Sequence, residues 1–265
     1  MSADFKDRRV WITGASSGIG EAVALAFHEA GAKLILSARR EEELRRVQAA
    51  CGGEPGTRVL PLDVSEAQSL QEKTREALAM FGGIDILVLN AGITQRSRAR
   101  ETDESVYRRL MEVNFFGPEA LARAVVPSML EQKSGHMVVI SSVAGKIGVP
   151  MRSGYSATKF ALHGFFEALR AEEERNGIHV TMVCPGYIRT DISLSALRGD
   201  GRRHAKMDSE IARGMPVDEC ARQILRGVAR RKKEIVVAAA REKTLVYIKR
   251  LFPDLLARMI GRPGG

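Results

Sequence analysis

The chain has 265 residues, 45% hydrophobic and 28% charged, with 25 Gly and 9 Pro. That is enough for one large domain with a deep core, and it excludes a disordered, collagen-like or repeat chain. The net charge of +9 raises nucleic acid as a partner, but residues 230–265 hold ten Lys/Arg against three acids and no nucleic-acid motif accompanies them, so the excess belongs to one terminal segment.

No stretch approaches the length of apolar chain that a membrane-spanning helix needs. From Met1 the sequence passes through Asp4, Lys6, Asp7, Arg8 and Arg9 straight into Val10-Trp11-Ile12, without a secretory apolar region. Cys51, Cys184 and Cys220 are odd in number and far apart, which gives neither a disulfide framework nor a metal set. A reducing, cytoplasmic setting is expected, and no metal. His28, His136, His163, His179 and His204 show no metal-ligand spacing.

Short β-branched runs predict strands at Arg9–Thr13, Lys33–Ala38, Thr57–Pro61, Ile84–Asn90, Gly135–Ser141, His179–Cys184 and Glu234–Ala238. Amphipathic stretches between them predict helices at about 18–35, 41–51, 66–82, 103–131, 154–176 and 218–231. Wholly apolar strands separated by helices give an α/β fold, a Rossmann-like doubly wound parallel sheet of about seven strands with helices on both faces. One domain is expected over 1–240, with an excursion at about 188–215 and an amphipathic basic extension at 241–265. In that extension Leu245, Ile248, Phe252, Leu255, Leu256, Met259 and Ile260 fall at helical spacing, interrupted by Pro253. Such a stripe packs on the body or on a partner; peripheral contact with an anionic membrane is the alternative.

After the first strand comes Thr13-Gly14-Ala15-Ser16-Ser17-Gly18-Ile19-Gly20, and a helix follows at once. Glycines there allow a tight turn and close approach of backbone to ligand, and the helix N-terminus offers unpaired N–H groups to a pyrophosphate. The second strand ends Ser37-Ala38-Arg39-Arg40, without the carboxylate that would bind a ribose 2′-hydroxyl. Two guanidiniums suit a 2′-phosphate instead, so NADP(H) is favoured and NAD(H) is the alternative. In the other reading Arg39 and Arg40 are solvated and pair with Glu41, Glu42 and Glu43.

Tyr155-Ser-Ala-Thr-Lys159 opens a helix, and the i, i+4 spacing puts tyrosine and lysine on one face. A nearby ammonium would draw the phenol down from its ordinary value near 10 toward useful acid–base work. Ser141-Ser142 at the end of the fifth strand could hydrogen-bond a substrate oxygen. The set Thr13-Gly-x-x-x-Gly-Ile-Gly20, Asp63-Val64, Asn90-Ala91-Gly92, Asn114, Ser142, Tyr155-x-x-x-Lys159 and Pro185-Gly186 with Thr190 resembles the short-chain dehydrogenase/reductases over about residues 8–230.

The resemblance implies a catalytic set of Asn114, Ser142, Tyr155 and Lys159. Tyr155 would be the general acid/base, Ser142 would orient the carbonyl, Lys159 would hold the nicotinamide ribose and tune Tyr155, and Asn114 would hold a relay water. It implies cofactor contacts from Gly14, Ser16, Ser17, Gly18, Ile19, Gly20, Arg39, Arg40, Asp63, Val64, Asn90, Ala91, Gly92, Tyr155, Lys159, Pro185, Gly186, Ile188 and Thr190. One departure stands out: Ser17 occupies a place where NADP-preferring relatives often carry Lys or Arg. The expected activity is NADP(H)-dependent interconversion of a ketone or aldehyde and an alcohol, on a lipophilic small molecule. An NAD(H)-dependent alcohol or hydroxysteroid-type dehydrogenase and a non-catalytic dinucleotide sensor are the alternatives. The family also implies a homodimer or homotetramer, formed through the 103–131 and 154–176 helices.

Overall fold

The computed structural model describes residues 5–260; the first residues of the N-terminal segment and the last of the basic 230–265 segment, read above, lie outside them. Seven parallel strands form one sheet: β1 (Arg9–Thr13), β2 (Lys33–Ser37), β3 (Thr57–Val59), β4 (Ile86–Leu89), β5 (Gly135–Ile140), β6 (Ile178–Pro185) and β7 (Glu234–Val237). Their spatial order is 3-2-1-4-5-6-7. The chain therefore reverses direction across the sheet between β1 and β4, where an open α/β sheet leaves a crevice at its carboxyl edge.

The core is built in two layers because side chains alternate along each strand. Val10 and Ile12 face a layer with Val23, Ala24 and Phe27 of α1 (Gly18–Glu29), Leu44 and Val47 of α2 (Glu41–Ala50) and Ile224 of α8 (Val217–Ala229). Trp11, between them in sequence, faces the opposite layer. There it meets Leu70 and Ala77 of α3 (Ala67–Phe81), Leu121 and Val125 of α5 (Gly117–Glu131) and Leu162 and Phe166 of α6 (Ser153–Glu173). All are nearly inaccessible to water, so both sheet faces are buried, as the apolar strands predict. The indole N–H of Trp11 is satisfied by Ser37 Oγ at 2.9 Å.

The helix expected over 103–131 is interrupted. α4 (Glu104–Met111) passes through a π turn at Glu112–Phe116 before α5 begins, and buried Asn114 sits in that turn. Hydrophobic periodicity cannot report a one-residue change of helical pitch, so the sequence pattern reads straight across it. The excursion holds a short helix, α7 (Ser209–Ala212), N-capped by Asp208. The last segment forms α9 (Ala240–Leu251) and α10 (Pro253–Ile260). Its apolar residues divide between two faces: Leu245, Ile248, Leu256 and Ile260 pack with Val143, Ile147 and Ala238, while Tyr247, Leu251, Phe252, Leu255 and Met259 are exposed.

Candidate active site

The carboxyl ends of β1, β2, β4, β5 and β6 and the loop after β3 line one edge of the sheet. At the reversal point Thr13 Oγ1 donates to Val88 O (3.2 Å) and accepts from the backbone N–H groups of Asn90 (3.1 Å) and Ala91 (3.2 Å). The Asn90 amide donates to the carbonyls of Thr13 and Gly14, both at 3.1 Å. These bonds hold the glycine turn against the loop after β4. Gly14 takes a φ of +66°, which L side chains rarely adopt. Gly20 is needed for closeness: a Cβ there would overlap the Gly14 carbonyl and lie 2.5 Å from Asn90 Nδ2. Ser17 caps α1 in an extended conformation without a side-chain hydrogen bond, so the first-turn N–H groups keep no side-chain acceptor there.

A cleft of about 860 Å³ runs from this turn to the 188–215 excursion. Gly14, Ser16, Ser17, Gly18, Ile19, Arg39, Arg40, Asp63, Val64, Asn90, Ala91, Gly92, Ser142, Tyr155, Lys159, Pro185, Gly186, Ile188 and Thr190 all line it. Gly20 and Asn114 stand behind its wall. Arg39 is 58% exposed in its side chain and reaches Asp63 only at 3.8 Å, while Arg40 donates to Ser16 Oγ at 3.3 Å. Neither pairs with the glutamates of α2: Glu41 binds Arg45 at 3.0 Å and Glu43 binds Arg46 at 2.9 Å. Arg46 also holds Glu21 at 2.7 Å.

At the far side, Ser142 follows β5 and Tyr155 lies in the first turn of α6. Ser142 Oγ accepts from Ala144 N (3.1 Å), lies 3.4 Å from Pro185 O, and hydrogen-bonds the Tyr155 phenol. Burial holds that phenol above its ordinary pKa; the Ser142 bond and the charges of Arg152 and Arg96 pull it part of the way back. Lys159 is not among the groups that shift the phenol here. The lysine ammonium stands 5.7 Å from the tyrosine ring centre and donates to Ile140 O at 2.8 Å. Burial draws its own pKa down to about 8. Asn114 ties the loop after β4 to α6 through its side chain. Its Oδ1 accepts from Ile93 N (2.8 Å), and its Nδ2 donates to Ile93 O (2.9 Å) and Thr158 Oγ1 (3.0 Å).

Sequence reading missed Arg96, Arg152 and Asp208, which meet in the same wall. Arg96 and Arg152 both bond Asp208 Oδ2, and Arg152 lies over the Tyr187 ring at 5.6 Å. The available signal was the placement of arginines next to two motif segments, four residues after Gly92 and three before Tyr155.

The family model described as short chain dehydrogenase matches residues 8–199. The chain is 43% identical over 251 residues to "Dehydrogenase/reductase SDR family protein 7-like" of Drosophila melanogaster, covering 93% of this chain and 77% of that one. It is 39% identical over 264 residues to "Dehydrogenase/reductase SDR family member 7B" of Danio rerio, covering 97% and 85%. Among solved structures, a short-chain dehydrogenase from Streptomyces avermitilis superposes with a TM-score of 0.81 at 30% identity, covering 96% of each chain.

Proposed function

Because the chain belongs to the short-chain dehydrogenase/reductase family, we propose that it interconverts a ketone or aldehyde and an alcohol using NADP(H). The carrying observation is that Ser142, Tyr155 and Lys159 converge on one cleft with a glycine turn and a helix N-terminus at its other end. The turn fits a dinucleotide on its own geometry, since Gly14 and Gly20 let it pack against the Asn90–Ala91 loop more closely than any side chain would allow, which leaves the turn and the helix N-terminus open to the cleft. When bound, the nicotinamide supplies or accepts the hydride.

The protein's part is position and proton. In reduction, Tyr155 donates its phenolic proton to the carbonyl oxygen as the carbon receives hydride; in oxidation it takes that proton back. A phenol held protonated by burial is ready as an acid at neutral pH. Ser142 hydrogen-bonds the same oxygen and stabilises the charge developing there. Lys159 reaches the ribose side, where its ammonium supports the tyrosine when it is ionised. Asn114 fixes the loop at Ile93 through its side chain, which leaves any relay water to the main chain of the π turn.

The half-exposed Arg39, only loosely tied to Asp63, supports a role in binding a ribose 2′-phosphate, with Arg40 beside it. NAD(H) is the second reading, favoured by the Arg39–Asp63 contact and by Ser17. Ile93, Val113, Ile188, Leu194 and Ile211 line the outer cleft and suit a lipophilic substrate. The 188–215 segment, which the family resemblance assigns as the substrate lid, would close over that end, as its lining residues Ile188, Leu194, Leu197 and Ile211 support. Assembly as a homodimer or homotetramer through the 103–131 and 154–176 helices is supported by exposed Phe116 and Phe160 there. Turnover of an aldehyde panel with NADPH, by the native sequence and by Tyr155→Phe, tests this function; a Tyr155→Phe protein as active as the native one overturns it.

A further inference from the structure

Arg96 follows β4 and Arg152 precedes α6, so two loops from different strands bring both into the cleft wall. Each donates to the same oxygen, Asp208 Oδ2, Arg96 at 2.6 Å and Arg152 at 3.0 Å. The other Asp208 oxygen accepts from Glu210 N at 2.9 Å as it caps α7. Arg96 makes one more bond, to Gln95 O at 2.9 Å, and Arg152 spreads over Tyr187. Two cations thus share one carboxylate, and several guanidinium N–H groups have no acceptor among the described residues.

The surroundings make that excess matter. The two arginine side chains are only 10% and 14% exposed. Among the described residues no Arg96 or Arg152 nitrogen is both buried and unbonded, so the N–H groups without a protein acceptor open onto the cleft, where a ligand can reach them; two cations set against one carboxylate favour an anion there. Burial, followed by the charge of Arg152, lowers the Arg96 pKa, and the bond to Asp208 only partly offsets this. Arg96 and Arg152 line the same cleft as the Tyr155 phenol, and their charges act on it. Arg109 and Arg203 line the same cleft. Asp191, which also lines the cleft from the excursion, pairs with neither Arg96 nor Arg152.

We infer that Arg96 and Arg152 form a carboxylate-binding site for the substrate, so that this chain prefers carbonyl compounds carrying a carboxylate beyond the reacting carbonyl. Asp208 shows the geometry on which such a group is held, and the substrate supplies the second anion that the pair lacks. This rests on the carbonyl reduction proposed above. Planar guanidiniums suit a carboxylate better than lysines would, because they can offer paired donors.

A matched pair of aldehydes separates charge from shape: 4-carboxybenzaldehyde and its methyl ester, methyl 4-formylbenzoate, each reduced with NADPH by the full chain. The readout is the acid-to-ester ratio of kcat/KM. The native protein prefers the acid, and Arg152→Met or Arg96→Met lowers the ratio by about 10- to 100-fold, as loss of a charge-assisted hydrogen bond implies. Arg152→Lys restores part of it. Asp208→Asn keeps an oxygen for the guanidiniums but removes the competing charge, so it raises the ratio through a lower KM for the acid. A structural latch without ligand function predicts instead that acid and ester fall together in all four variants.

Melting curves show which variants fold, and Arg152→Met with Asp208→Asn suffices if Arg96→Met does not. Calorimetric titration of the two aldehydes into the native protein with NADP+ gives the same comparison as a ratio of Kd values, whether or not either compound is turned over. A ratio near one in the native protein, or one that the variants leave unmoved, overturns the site. Activity that survives Tyr155→Phe would count against the proposed chemistry instead.

Discussion

The two ends of the cleft are made differently. The end at the start of α1 is made mainly of backbone, a glycine turn and a helix N-terminus, braced by the Thr13 hydroxyl and the Asn90 amide. The end beneath the excursion is made of side chains from separate segments, with Arg96, Arg152 and Asp208 meeting only after the chain has folded. Backbone construction demands particular residues at particular spacings and tolerates little change. Side-chain construction leaves the surrounding sequence free, and it is there that substrate selection can vary without touching the dinucleotide end.

The strongest way to break this contrast is Gly20→Ala. Its Cβ would overlap the Gly14 carbonyl in a region fixed by Asn90, so dinucleotide binding should be abolished, with about 1–3 kcal/mol lost from stability through overpacking. Calorimetric titration and thermal melting check it together; near-normal affinity would mean the turn can yield. Next comes Tyr155→Phe, which should lower kcat by roughly 10²- to 10⁴-fold while leaving dinucleotide affinity nearly intact, measured by single-turnover kinetics beside a binding titration.

These two variants probe what the sequence makes legible. The sheet, its strands and the glycine turn could be read because each depends on local chemistry: unbroken apolar runs, glycines where a side chain has no room, and a tyrosine and lysine one helical turn apart. Arg96, Arg152 and Asp208 could not, since no periodicity links positions 96, 152 and 208. The π turn at Asn114 escaped for another reason, because the apolar pattern continues through it while the hydrogen bonds shift. The Tyr155 phenol was read from its nearest sequence partner, whereas its surroundings depend on burial and on arginines from other loops.

Arg39→Asp sharpens the dinucleotide end. Removing a charge-assisted contact and adding a carboxylate should weaken NADPH by about 10- to 100-fold and change NADH much less, as read from the two Kd values. Equal effects on both would remove the arginine from phosphate recognition.

The smallest expected effect concerns Lys159, whose pKa lies at about 8. Below that value the ammonium is present and can donate to the ribose; above it the charge is lost, so dinucleotide affinity should fall as pH rises through about 8. Each pKa unit by which binding raises the lysine corresponds to about tenfold in affinity across that window. Lys159→Met should bind more weakly and lose this step; a step that persists in the variant belongs to another group.

The most direct test of the central claim is to titrate the purified chain with NADPH and with NADH in the presence of the aldehyde panel, following nicotinamide oxidation. Turnover with a clear NADPH preference is the predicted result. Tight binding of either dinucleotide without turnover of any aldehyde, or a preference for NADH, would contradict it.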